Sequence, residues 1–104
     1  MIRLMVSYPN KPGARFDEEY YLAKHMPMVQ EKMGKYGMKS WSIDKGLGGM
    51  APGSPAEYVI QAHLLFENVE GLQAGMGTEA PAILADIPNY TDIQPVIQIN
   101  QVLK

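Results

Sequence analysis

Among its 104 residues the chain has no cysteine. That excludes disulfide staples, thiolate nucleophiles, iron–sulfur clusters and thiolate zinc sites together. An excess of charge is missing too: nine Lys and Arg stand against eleven Asp and Glu, a formal net charge of -2. With no basic run, neither nucleic acid nor an anionic membrane surface is expected as a partner. No apolar run approaches the roughly 20 residues of a membrane span. The first strand pattern begins at residue 2, leaving no stretch for a leader, so a cytoplasmic setting is expected. Histidine is scarce, with only His25 and His63. The two share no ligand spacing, and Asp17 precedes His25 by about two helical turns, so no metal site is expected.

What is present reads as one domain over residues 1–104, with 46% hydrophobic and 19% charged residues. Ile2 to Tyr8 alternates, with Ile2, Leu4 and Val6 on one strand face. Pro9, Asn10, Pro12 and Gly13 make a turn. Asp17 caps a helix whose first turn holds Glu18 and Glu19, suited to its positive end. Leu22, Met26, Val29 and Met33 form its buried stripe, Pro27 bends or restarts it, and Gly34 and Gly37 end it. Met38 to Leu47 reads as an edge strand and Tyr58 to Phe66 as another strand. Between them, the glycines from Gly46 to Gly53 lead into a strand rather than a helix, so the segment is a hairpin connection and not a phosphate cradle. Asn68 caps a short second helix with Val69, Leu72 and Met76 inward, closed by Gly77. A broken segment around Pro81 to Ile87 follows. Ile93 to Leu103 is the last strand, put on an edge or at a bulge by Pro95. The order β-α-β-β-α-β predicts an α+β ferredoxin-like sandwich with a four-stranded antiparallel sheet and both helices on one face.

Neither Tyr58 to Phe66 nor Ile93 to Leu103 holds a charged residue. The open face of such a sheet ordinarily carries Lys, Glu or Arg. Here it carries Val59, Gln61, His63 and Leu65, then Gln94, Val96, Gln98, Asn100 and Val102. Uncharged surface of this kind is normally covered. A second copy packed sheet against sheet is the simplest cover, so a homodimer is expected.

The residues able to do chemistry cluster at Tyr20-Tyr21-Leu22-Ala23-Lys24-His25-Met26-Pro27. Tyr21 and His25, four apart, point from one helix face. Imidazole titrates near neutrality and suits a general acid or base, with a buried structural histidine as the competing explanation. The Tyr21 phenol is suited to holding a substrate oxygen, and at least one of the tyrosine pair is expected to serve only packing. His63, beside Gln61, is placed to line a cavity or a dimer interior. Met28, Trp41 and His63 are the residues expected to touch a ligand, and the eight methionines suit an adaptable apolar pocket.

At Phe16-Asp17-x-x-Tyr20-Tyr21-x-x-x-His25-x-Pro27-Met28-Val29 the chain resembles the EthD family of dimeric α/β-barrel proteins. Phe66-Glu67-Asn68-Val69 and Ala85-Asp86-Ile87-Pro88-Asn89-Tyr90-Thr91 extend the resemblance over nearly the whole chain. It implies a ferredoxin-like fold whose sheets pair into a barrel and a small organic ligand between helices and sheet; with no ligand pattern for a flavin, haem or metal in the chain, no cofactor is expected. The family takes its name from a protein needed beside an oxidoreductase system that degrades ethyl tert-butyl ether. Related barrels include methylmuconolactone isomerases, aromatic polyketide cyclases and cofactor-free monooxygenases. The isomerases use cysteines, absent here. The motif carries over His25, framed by Tyr21 and Pro27. Two readings follow: cofactor-free acid/base chemistry on a small apolar or aromatic molecule, or a non-catalytic carrier or accessory module of an oxidoreductase system.

Overall fold

The computed structural model describes all 104 residues. Strand β1 (Ile2–Pro9) leads to helix α1, built of Glu18–Tyr20, a π-helical stretch Tyr21–His25 and Met26–Met33. A 3-10 turn, Gly34–Tyr36, precedes β2 (Met38–Lys45), which pairs with β3 (Tyr58–Phe66). Helix α2 (Val69–Asp86) runs into a 3-10 turn at Ile87–Asn89, and β4 (Val96–Gln101) closes the chain. The sheet order is β2-β3-β1-β4, with all pairings antiparallel. This is the expected ferredoxin-like α+β sandwich, with β2 and β4 on its edges.

Alternation sets the two sheet faces. Leu4 faces Leu64 and Ile99 across the ladders, and Val6 faces Ala62 and Ile97. Ile60, Ala62, Leu64 and Phe66 are buried beneath the helices with Leu4 and Tyr8, whereas Val59, Gln61, His63 and Leu65 are only half-buried. No helix is long and apolar enough to cross a membrane.

Three boundaries differ from the sequence reading. The second helix does not stop at Gly77 but continues through Pro81 to Asp86. Pro81 is exposed, and the carbonyl four residues before it, which loses its donor, belongs to the exposed Gly77. Water satisfies that group at little cost. The last strand begins at Val96 rather than Ile93, because Ile93 is buried in the preceding connection. Leu22 leaves the buried stripe and is 46% exposed, while Tyr21 and His25 are buried beside Met26, Val29 and Met33. The π turn explains the change. The Met26 N–H bonds back to the Tyr21 carbonyl, five residues earlier. The wide turn just ahead of Pro27 shifts the helix phase and turns Tyr21 inward.

Candidate active site

The side chain of Asp17 starts α1 by accepting from the Tyr20 N–H at 3.0 Å. The π turn then stacks Tyr21 on His25, with ring centroids 5.4 Å apart and planes 14° from parallel. Asp86 comes from the last turn of α2. Its Oδ2 lies 2.9 Å from His25 Nδ1, and its Oδ1 accepts from the Tyr20 hydroxyl at 2.7 Å and from Asn89 Nδ2 at 2.9 Å. On the other side of the imidazole, the Tyr90 hydroxyl is 3.4 Å from Nε2, and it meets the Tyr8 hydroxyl at 2.6 Å. Tyr8, Tyr21, His25 and Tyr90 are all nearly sealed from solvent.

The electrostatics fix the proton positions. Burial pushes the Asp86 carboxyl up, but the bonds from Tyr20, Asn89 and His25 outweigh it and hold the group below its ordinary value. The carboxylate is thus ionised at neutrality and can only accept. Burial lowers the His25 pKa, opposed by the hydrogen bond and charge of Asp86, so the ring is neutral at pH 7. A neutral imidazole that donates from Nδ1 leaves Nε2 as its acceptor. Desolvation raises the phenols of Tyr8, Tyr21 and Tyr90.

This network borders a cavity of about 60 Å³ between helices and sheet, lined by Tyr8, Tyr21 and His25 among apolar side chains including Met26, Met33 and Met76. Two waters would fill that volume at about 30 Å³ each. A ring-sized ligand needs more. The cavity shares Leu84, Ile87, Pro95 and Ile97 with an open cleft of about 470 Å³ whose rim holds Arg15, Thr91 and Asp92.

Among the residues singled out from sequence, the structure brings Tyr21 and His25 together at this cavity. It does not bring the other three. His63 is on the opposite sheet face, with Nε2 at 2.8 Å from Asp44 Oδ2 and Nδ1 at 3.0 Å from Met5 Sδ. Trp41 donates from Nε1 to Gln30 Oε1 at 2.6 Å, and Met28 packs at the core margin; neither lines the cavity. Sequence reasoning gave no role to Asp86, Tyr90 or Tyr8. Asp86 stands in the last turn of α2 with no basic residue beside it, where a carboxylate opposes the helix dipole and needs partners of its own, but the sequence reading ended that helix at Gly77.

The model of the EthD domain matches residues 14–94. The chain belongs to the EthD family. An EthD-like protein of Ralstonia eutropha JMP134 is 41% identical, with a TM-score of 0.94 over 99% of this chain and 92% of that one. An EthD family protein of Bacillus halodurans C-125 shares the fold at 18% identity and a TM-score of 0.75, over 99% of both chains. A dimeric ferredoxin-like protein of Thermobifida fusca shares it at 16% identity and a TM-score of 0.53, over 97% of this chain and 90% of that one. No curated protein matches the sequence. The EthD motif residues quoted above fall on the network itself: Tyr20, Tyr21 and His25 from α1, and Asp86, Asn89 and Tyr90 from the end of α2 onward.

Proposed function

We propose that this EthD protein binds a small apolar or aromatic compound between helices and sheet and moves a proton on it without a cofactor. His25 is the base, Asp86 holds its tautomer, and Tyr21 steadies a ligand oxygen. The observation that carries this reading is the 2.9 Å pairing of Asp86 with the buried His25 on the wall of an otherwise apolar cavity. A carboxylate–imidazole pair facing apolar space is the arrangement general base catalysis requires, and it is typically worth about 10²–10⁴-fold in rate.

The working form is a homodimer closed through the open sheet face. Its support is the uncharged run of β3 and β4 and the exposed Val96 on that face of β4. The Thermobifida neighbour is described as dimeric.

The test is a thermal-shift screen of small aromatic acids, lactones and ethers on wild type and His25→Ala together. A ligand of the native state raises the melting temperature with occupancy. A stabilising hit lost in His25→Ala supports the reading, and its turnover should then fall at least about 10²-fold in that variant. A hit whose binding and turnover His25→Ala leaves untouched overturns it, and a hit bound equally by both proteins with no turnover in either favours the carrier.

A further inference from the structure

The hydrogen bonds around His25 have a direction, and it leads past the histidine. Asp86 is ionised and already accepts from Tyr20 and Asn89, so His25 Nδ1 donates to it. Nε2 is then a bare acceptor in a buried site, and the one hydroxyl facing it belongs to Tyr90. Leaving Nε2 unpaired would cost the desolvation of a buried acceptor, so Tyr90 donates to it. The separation of 3.4 Å is long, as such bonds commonly are before a ligand closes the site. A tyrosine has a single proton to give. Tyr90, having spent it on His25, accepts in its 2.6 Å bond with Tyr8, which makes Tyr8 the donor. Tyr90 is fully buried and does not line the cavity, whereas Tyr8 does. The Tyr8 oxygen, its proton turned inward, thus acts only as an acceptor on the cavity side, where the Tyr21 hydroxyl is its one protein neighbour and the ligand its other.

We infer that the atom which takes the ligand's proton is the Tyr8 hydroxyl oxygen, relayed through Tyr90 to His25, and that the ligand is a phenol or enol with an apolar body. This rests on the acid/base reading above and adds to it the contact residue and the substrate class. The step balances as a chain of proton transfers. The ligand O–H bond breaks and its proton goes to Tyr8 Oη, the Tyr8 proton goes to Tyr90 Oη, and the Tyr90 proton goes to His25 Nε2. The electron pair stays on the ligand oxygen as a phenolate or enolate, and His25 becomes an imidazolium against the Asp86 carboxylate. Tyr8 is the catalytic residue in this scheme; Tyr90 and Asp86 are positioning residues. No oxidant, reductant or metal enters.

Three readouts test it. In the ligand-free protein, imidazole nitrogen NMR should find His25 protonated on Nδ1 and bare on Nε2. With phenol and toluene as probes of one shape, wild type should prefer phenol by roughly tenfold, the worth of one buried hydrogen bond. Tyr8→Phe should erase that preference. Asp86→Asn, whose amide donates to Nδ1, should reverse the chain, so that Nε2 carries the proton and phenol loses its advantage over the acceptor-only anisole. With 4-nitrophenol, whose absorbance reports ionisation, the bound probe should be more ionised in wild type than in Tyr90→Phe at the same pH and occupancy. An Nε2-protonated His25 in wild type overturns the inference. So does a phenol preference and nitrophenolate signal that survive Tyr8→Phe and Tyr90→Phe but vanish in His25→Gln. In that case His25 meets the ligand directly, and the broader function reading stands while the relay falls. If no probe of any class binds, both fall.

Discussion

Three glycines of α2, replaced singly by alanine, should separate widely in stability, because their surroundings differ although their helix is the same. Any alanine in a helix interior gains about 1 kcal/mol over glycine. At Gly77 nothing lies within 4 Å of an added Cβ, so that gain should appear in full. At Gly75 the Cβ would stand 2.7 Å from Met33 Cε, the movable end of a flexible side chain, so the gain is offset by repacking and the change is near zero. At Gly71 the Cβ would overlap the Tyr36 backbone oxygen, so α2 and the 3-10 turn at Gly34–Tyr36 must separate there. Overpacking against backbone costs about 2 kcal/mol. The Asn68 cap, which accepts from Gly71 N at 2.8 Å, is worth about 1 kcal/mol more. The net for Gly71→Ala is a loss of about 2 kcal/mol after the helix gain of about 1. From Gly77→Ala to Gly71→Ala the span is thus about 3 kcal/mol, or roughly 12–24 °C in melting temperature for a domain this size. Thermal melts by circular dichroism, with urea unfolding as a second measure, would read it. If Gly77→Ala melts below wild type, α2 ends at Gly77 as the sequence alone suggested, since a capping glycine in the left-handed region resists alanine. That result would refute the continuous helix and the position of Asp86 with it.

Two further outcomes follow from the charges and faces described. Acid should destabilise the protein in two stages. The native pKa of His25 lies below its unfolded value of about 6.5, so the native state takes up its proton later than the unfolded chain, and stability falls as pH drops below that value. The native pKa of Asp86 is also depressed, so its contribution is present above about pH 4 and is lost as pH falls through the lower native value. Melting temperature against pH should lose the upper stage in His25→Gln and keep the lower. Leu65→Lys, on the open sheet face, should convert a dimer into a monomer in light scattering while leaving the far-ultraviolet spectrum unchanged; a wild type that is already monomeric at micromolar concentration would end the dimer reading.

The fold was largely legible because its signals are local and agree. Alternation marked β1 and β3, and Asp17 and Asn68 announced both helix starts. The sequence misled where a breaker residue faces solvent. Gly77 and Pro81 are exposed in α2, where a lost backbone bond is repaired by water, and no pattern in the sequence says which way a proline points. It also misled at Leu22, because apolar spacing assumes 3.6 residues per turn and the π stretch does not obey it. For the site, Tyr21 and His25 were legible as an i, i+4 pair on one helix. Asp86, Tyr90 and Tyr8 were not, because what joins them to that pair is proximity across 61, 65 and 82 positions of sequence.

Those separations have a kinetic consequence. The network's bonds from Asp86 to Tyr20 and His25, and from Tyr90 to His25 and Tyr8, join chain segments that only the finished topology brings together. The same holds for its outer fastening, where Thr91 Oγ1 donates to the Arg15 carbonyl at 2.6 Å and Asp17 N donates to the Tyr90 carbonyl at 2.7 Å. Contacts this distant in sequence incur loop-closure entropy before they yield any stabilisation, so they form late. A partly folded chain lacks the Tyr90 link until the connection after the second helix docks on Arg15 and Asp17. On the function proposed above, a compound that fills the cavity should therefore slow unfolding more than it speeds folding.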